Sequence, residues 1–171
     1  LGYLAGNAIA SGGYKNTFFG HNAGLLISDT DENVAIGANA MKAAGSFNSV
    51  MVGFATGMVM TGGSNTAVGS YAMGGMKAGT YNVAIGRNSM DAMAGDDANN
   101  GGTRNIAIGG ESMGAVNAGT HDDARSDDNI AIGYQALLGS TFTASDKQLE
   151  GNIAIGSYAL DATGANSQLE R

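Results

Sequence analysis

Nine of the chain's fifteen acids fall in three stretches, roughly 91–104, 114–128 and 138–151. They are Asp91, Asp96, Asp97, Asp122, Asp123, Asp127, Asp128, Asp146 and Glu150, whereas residues 33–90 hold no acid at all. Carboxylates gathered in this way could bind calcium, which takes about six to eight oxygen ligands, or bridge a cation to a receptor. Asp96, Asp97, Asp122, Asp123, Asp127 and Asp128 are the candidate ligands. The plainer reading is a set of solvated aspartate-rich turns that keep an apolar rod in solution, and it takes precedence. The spacing matches no EF-hand loop, and no Gly-x-Gly triplet occurs, so the calcium-binding nonapeptide of other β-rolls is missing.

Catalytic groupings are weaker still. His121 stands next to Asp122 and Asp123 with Ser126 close behind, but neighbouring loop residues rarely hold the geometry of a triad. His21 follows Gly20 in a turn and is expected to face solvent. Neither a dinucleotide-binding glycine fingerprint nor a phosphate-binding P-loop is present. The chain is therefore expected not to be an enzyme and to need no cofactor. Aromatic residues offer another kind of chemistry. Tyr3, Phe54, Tyr71, Tyr134 and Tyr158 all sit one or two residues after a recurring glycine. Such a column could stack on sugar rings or a receptor surface, with Tyr71, Tyr134 and Tyr158 the contact candidates. Packing against a neighbouring copy of the chain explains the same column and is the preferred reading.

What positions these residues is a repeat. Asn33-Val-Ala-Ile-Gly37 recurs as Asn65-Thr-Ala-Val-Gly69, Asn82-Val-Ala-Ile-Gly86, Asn105-Ile-Ala-Ile-Gly109, Asn129-Ile-Ala-Ile-Gly133 and Asn152-Ile-Ala-Ile-Gly156. Asn16-Thr-Phe-Phe-Gly20 and Ser49-Val-Met-Val-Gly53 are looser copies, and Leu1-Gly2 is the tail of another. The glycines are spaced by 18, 17, 16, 16, 17, 23, 24 and 23 residues, so short units up to about residue 90 give way to longer ones over 91–171. Three residues after each glycine comes a small residue. One further on, six units place a long apolar side chain (Met41, Met73, Met90, Met113, Leu137, Leu160) and the other three place glycine.

This pattern predicts an all-β fold: a single β-solenoid domain of about nine coils spanning 1–171. Each Asn-x-Ala-x-Gly segment reads as a strand of four or five residues, with its β-branched positions on one face and alanine on the other. The bulky face is expected to fill the coil, and the alanine face to let another chain approach. Sixteen or seventeen residues hold two short strands and two turns, a flattened two-sided roll. At about 4.8 Å per strand, nine coils make a rod of roughly 40 Å. Gly37, Gly53, Gly69, Gly86, Gly109, Gly133 and Gly156 end the strands where a sharp turn wants positive φ. Asn33, Asn65, Asn82, Asn105, Asn129 and Asn152 begin them, tolerate left-handed φ, and can bond to one another up the stack. The nine methionines read as adaptable core filler. So thin a core looks marginal alone, and side-by-side association would supply further burial.

Composition closes off other classes. The 29 glycines argue against a helical bundle, and without proline there is no collagen. Without cysteine there is no disulfide or cysteine–zinc scaffold. With 43% hydrophobic and 13% charged residues the chain is too apolar for disorder. A net charge of −7 disfavours nucleic acid. No apolar run approaches the roughly 20 residues that span a bilayer, so no membrane insertion is expected. The chain opens in mid-pattern and reads as a fragment of a longer fibre.

The repeated Asn-x-Ala-Ile-Gly-x-x-Ala-(Met/Leu) resembles the head repeats of trimeric autotransporter adhesins of the YadA type. It resembles at least as closely the repeats of bacteriophage tail-fibre proteins, notably at 131–137 and 67–73. The resemblance spans essentially the whole chain. It implies a left-handed parallel β-roll, a homotrimer, and attachment to a host receptor or glycan from a virion surface. The alternative it implies is the head of a bacterial outer-surface adhesin. A glycan-degrading enzyme on a β-helical tailspike is a third option. It would need paired carboxylates in a groove that such short coils do not build. The adhesin heads repeat near every fourteen residues, so the longer units here depart from that pattern.

Overall fold

The computed structural model describes residues 2–9, 13–43, 45–93, 102–116, 125–139 and 148–161. Among them the structure is all-β, with ten three-residue strands and no helix. In chain order these are β1 (Thr17–Phe19), β2 (Val34–Ile36), β3 (Val50–Val52), β4 (Thr66–Val68), β5 (Val83–Ile85), β6 (Ile106–Ile108), β7 (Arg125–Asp127), β8 (Ile130–Ile132), β9 (Gln148–Glu150) and β10 (Ile153–Ile155). Eight of them stack into one parallel sheet in the order β1-β2-β3-β4-β5-β6-β8-β10. Register follows the motif without a slip: Ala35 pairs with Met51, Met51 with Ala67, Ala67 with Ala84, and so on to Ala154. Each repeat adds one strand to the stack, an arrangement compatible with a β-solenoid.

The sheet faces the opposite way from the expectation. Alanine, not the β-branched pair, points inward: Ala35, Ala67, Ala84, Ala107 and Ala131 are fully buried, while Ile36, Val68 and Ile85 remain 38–40% exposed. The bulk filling the coil comes instead from the turn opposite, where Met41, Met73, Met90, Met113 and Leu137 are fully buried. Two of the three coils with glycine at that turn position explain the arrangement. There the strand's central residue becomes large, Phe18 opposite Gly24 and Met51 opposite Gly57. A Cβ on Gly24 would come within 2.7 Å of the Phe18 ring, and one on Gly57 within 2.7 Å of the Met51 Sδ. Between strand and turn each of these coils thus takes one long side chain, supplied by one or the other. A second buried column, Ile27, Met60, Met76, Met93 and Val116, lies further round the coil.

The far side of each coil is also unlike the expected second strand. Its backbone is left-handed two and four residues after each key glycine, as at Asn39 (φ 59°) and Met41 (φ 49°) or Tyr71 (φ 58°) and Met73 (φ 52°). A pleated strand cannot alternate in that way, so the segment forms stacked turns. Hydrogen bonds still join coil to coil: the Met41 N–H donates to the Thr56 carbonyl, Met73 to Ser89, Met90 to Ser112 and Met113 to Ala136. The small residue between the two left-handed ones faces inward. Where it is polar, its hydroxyl is satisfied by backbone, Ser89 Oγ by the Ala107 carbonyl at 3.1 Å and Ser112 Oγ by that of Ala131 at 3.0 Å. Among the described residues a further strand occurs in two of the longer units, where β7 and β9 pair in parallel with Ser126 beside Leu149.

Candidate functional site

The asparagines that precede the strands form a ladder inside the coil. Asn33, Asn65, Asn82, Asn105 and Asn129 are buried. The Asn105 backbone N–H donates to Asn82 Oδ1 at 2.9 Å, Asn129 N–H to Asn105 Oδ1 at 2.9 Å, and Asn152 N–H to Asn129 Oδ1 at 3.0 Å. Each amide nitrogen then reaches a carbonyl across the coil, as Asn105 Nδ2 does to Ser126 at 2.6 Å and Asn82 Nδ2 to Gly102 at 2.9 Å. Ser49 replaces asparagine in one coil, and its Oγ accepts the Asn65 N–H at 3.2 Å. Left-handed backbone does not fall on these asparagines. It falls one residue earlier, at Lys15, Glu32, Asn48, Ser64, Tyr81, Arg104 and Asp128. The amide side chain is needed inward to bond the next coil, and the preceding residue makes the turn.

The strand-ending glycines form a second ladder, with φ between 120° and 144°. A Cβ on Gly69 would lie 2.5 Å from the Gly86 carbonyl oxygen, and one on Gly133 2.5 Å from that of Gly156. Gly37, Gly53, Gly86 and Gly109 meet the next carbonyl in the same way. Gly156 meets none among the described residues. These two ladders build the rod and leave its surface for function.

Of the acids, Asp96, Asp97, Asp122, Asp123 and also His121 lie outside the described residues. Asp127 and Asp128 are already engaged. Asp127 Oδ1 accepts the Thr103 N–H at 2.7 Å, and Asp128 takes both arms of the Arg104 guanidinium at 2.6 and 2.8 Å. That bonding holds the Asp128 carboxyl below the ordinary carboxylate range. Both residues of this ion pair are exposed, and so are Lys15 and Glu32, which pair at 2.8 Å. A hollow lined by Asp29, Thr30, Asp31, Glu32, Phe47 and Asn48 is acidic. However, Asp31 accepts the Tyr14 N–H at 2.6 Å and Glu32 belongs to Lys15. Among the described residues no three acidic or histidine side chains converge as a metal site would need. Among the described acids Asp91 is the one driven upward: burial disfavours its charge, against the Gly75 N–H that donates to it at 3.1 Å.

The aromatic residues do come together, in pairs. Tyr134 and Tyr158 meet edge to face with centroids 5.5 Å apart, Phe54 and Tyr71 likewise at 5.3 Å, and Tyr3 stacks on His21 at 5.8 Å. All five of these aromatics are exposed. Between the two clusters run Arg87, Glu111 and Gln135. Gln135 Nε2 donates to Glu111 Oε2 at 2.7 Å, and Arg87 lies 3.8 Å from Glu111 Oε1.

A further surface feature is the β-branched face of the sheet, which was expected to lie inside. The outer face of the eight-stranded sheet carries two columns of mostly β-branched side chains. One runs Thr17, Val34, Val50, Thr66, Val83, Ile106, Ile130, Ile153, and the other Phe19, Ile36, Val52, Val68, Ile85, Ile108, Ile132, Ile155. None of these is buried. The sequence signal that could have found this face was the exchange of bulk between strand and turn at Phe18 with Gly24 and Met51 with Gly57. Among the described residues no helix is long and apolar enough to cross a membrane. No family model, curated protein or solved structure gives a significant match to the chain.

Proposed function

We propose that the chain is a structural and attachment segment of a trimeric fibre on a virion surface. Three copies pack side by side through the outer face of the parallel sheet. The observation that carries this is the uncovered double column of valine and isoleucine. Parallel sheets are normally covered on both faces. Here one face lines the coil and the other stands open along the whole stack. An open apolar strip of this length marks an association surface. The repeat's resemblance to tail-fibre and adhesin-head sequences supports the number three and the attachment role. The reading keeps the association expected from sequence but moves it from the alanine face to the β-branched one.

Light scattering after size exclusion tests it. The expected mass is three times the 17.1 kDa chain. Replacing Ile85 and Ile108 together by aspartate puts charge on the central strands of the strip and is expected to give monomers. A wild-type monomer that persists at high concentration would sink the proposal.

A further inference from the structure

The positions one and two residues after each strand-ending glycine make a ledge that runs up the stack beside the sheet. The second position is left-handed in coil after coil, and this repetition supplies an internal control. Asn22, Asn39 and Asn88 occupy it with φ of 57°, 59° and 55°. Asparagine is among the residues that enter this region most readily after glycine. Tyr71, Glu111, Gln135 and Tyr158 occupy the same position with φ of 58°, 57°, 53° and 61°. None of the four is buried, so none is held there by the core. Leu4 and Ala55 hold this position in two further coils, so at the former four coils the chain carries a large outward side chain where three others use the better-suited asparagine.

Those side chains are organised among themselves. Tyr134 with Tyr158, and Phe54 with Tyr71, fix each other edge to face, yet all stay 39–55% exposed. Between them the Gln135 amide is bonded to the Glu111 carboxylate, and Arg87 faces its other oxygen. Gly110 leaves a bare step in this row, where an added Cβ would touch the Tyr134 ring at 3.4 Å. Ring, guanidinium, carboxylate, amide and ring thus follow one another on successive coils.

We infer that this ledge, from Tyr71 to Tyr158, binds a neutral saccharide chain lying along the stack. Exposed rings stack on the apolar faces of sugars, and the planar amide, carboxylate and guanidinium exchange hydrogen bonds with hydroxyls. The coil step of about 4.8 Å is close to the advance of one sugar in an extended chain, so successive sugars meet successive coils. Arg87 and Glu111 offset each other, and a chain of net charge −7 repels anionic ligands. Because the rings and the amide row already hold one another, binding orders little that was free. The inference rests on the attachment reading and names its ligand class.

The test uses the assembled protein on a panel of immobilised neutral and acidic oligosaccharides, together with intact host cells. Neutral glycans are expected to retain the wild type. Tyr134→Ala with Tyr158→Ala should weaken retention by about tenfold or more, the loss typical of a central aromatic contact. Gln135→Ala, a milder change, should also weaken it. Tyr81→Ala removes an aromatic that is 65% exposed off the ledge and should leave it unchanged. Unaltered melting and oligomeric mass must accompany the loss. Retention of acidic glycans only, selection of peptides instead, or indifference to the ledge substitutions overturns the inference. Cell binding that survives those substitutions overturns it while leaving the attachment reading intact. A wild type that binds no cell surface removes both.

Discussion

The exchange of bulk between strand and turn can be tested by moving one methionine across the coil. Met51 is fully buried, and Gly57 opposite has left-handed backbone with φ 55°. Met51→Ala leaves the space between strand and turn in that coil without a long side chain, because Gly57 offers nothing to fill it. Truncating a buried methionine costs about 2–5 kcal/mol, and this site belongs near the upper end. Gly57→Met alone overfills the coil, since its Cβ would already lie 2.7 Å from the Met51 Sδ. Overpacking costs about 1–3 kcal/mol, with roughly 1–2 kcal/mol more for a side chain in the left-handed region. The double variant restores the pattern of other coils, where Met73 (φ 52°) and Met90 (φ 53°) hold the same backbone and are fully buried. It should lose only the backbone cost, about 1–2 kcal/mol. Singles that each cost several kcal/mol and a double that costs less than either define a coupling at or above the usual range of about 0.5–3 kcal/mol. Urea denaturation of all four proteins at one concentration measures it. A double variant as unstable as the two singles added together would show that strand and turn do not share one interior.

The remaining predictions concern the ladder and a buried charge. Asn105→Ala strands the Asn129 N–H and the Ser126 carbonyl in the interior; at about 1–3 kcal/mol for each orphaned group, a large drop in denaturant midpoint is expected. Asn105→Ser should be milder, because Ser49 already does the work of an asparagine in its coil, and equal losses for both variants would contradict this. Asp91 has its carboxyl raised by burial, so its charge is a burden above that raised pKa and the burden lifts as pH falls through it. Asp91→Asn is therefore expected to melt higher than wild type at neutral pH, with the advantage fading in acid; a gain that grows in acid would reverse the assignment.

Much of the fold could be read from the chain because the Asn-x-Ala-Ile-Gly segments fix their own register. Glycine against glycine and asparagine against asparagine leave no room for a slip. The period of two also showed that alanine and the β-branched residues face opposite ways. It could not say which way was in, and ordinary hydrophobicity favoured the wrong answer. The deciding information lay in Phe18 with Gly24 and Met51 with Gly57, two departures from the repeat that read singly as noise. The stacked turns were harder to foresee, since a methionine with left-handed backbone runs against its own preference. The ledge was half visible: the aromatic column followed from spacing, but the Arg87–Glu111–Gln135 row depends on contacts between residues 24 apart in sequence.

The inversion of the sheet has a cause in the turns themselves. Among the described residues none of the non-glycine ones with left-handed backbone is valine, isoleucine or threonine; the buried ones are Ala55 and the long side chains Met41, Met73, Met90, Met113 and Leu137. Branching at Cβ makes the left-handed conformation a true outlier, whereas a chain unbranched at Cβ can still bend away from the carbonyl. Long side chains that these turns send inward to meet the strand therefore cannot be β-branched. The strand opposite must then present something small to the core, which is alanine. Valine and isoleucine, the residues that favour a strand, are left with only the outward positions. A turn that stacks without glycine at every step therefore leaves the outer face to the β-branched residues, and that is the face the proposed association would cover.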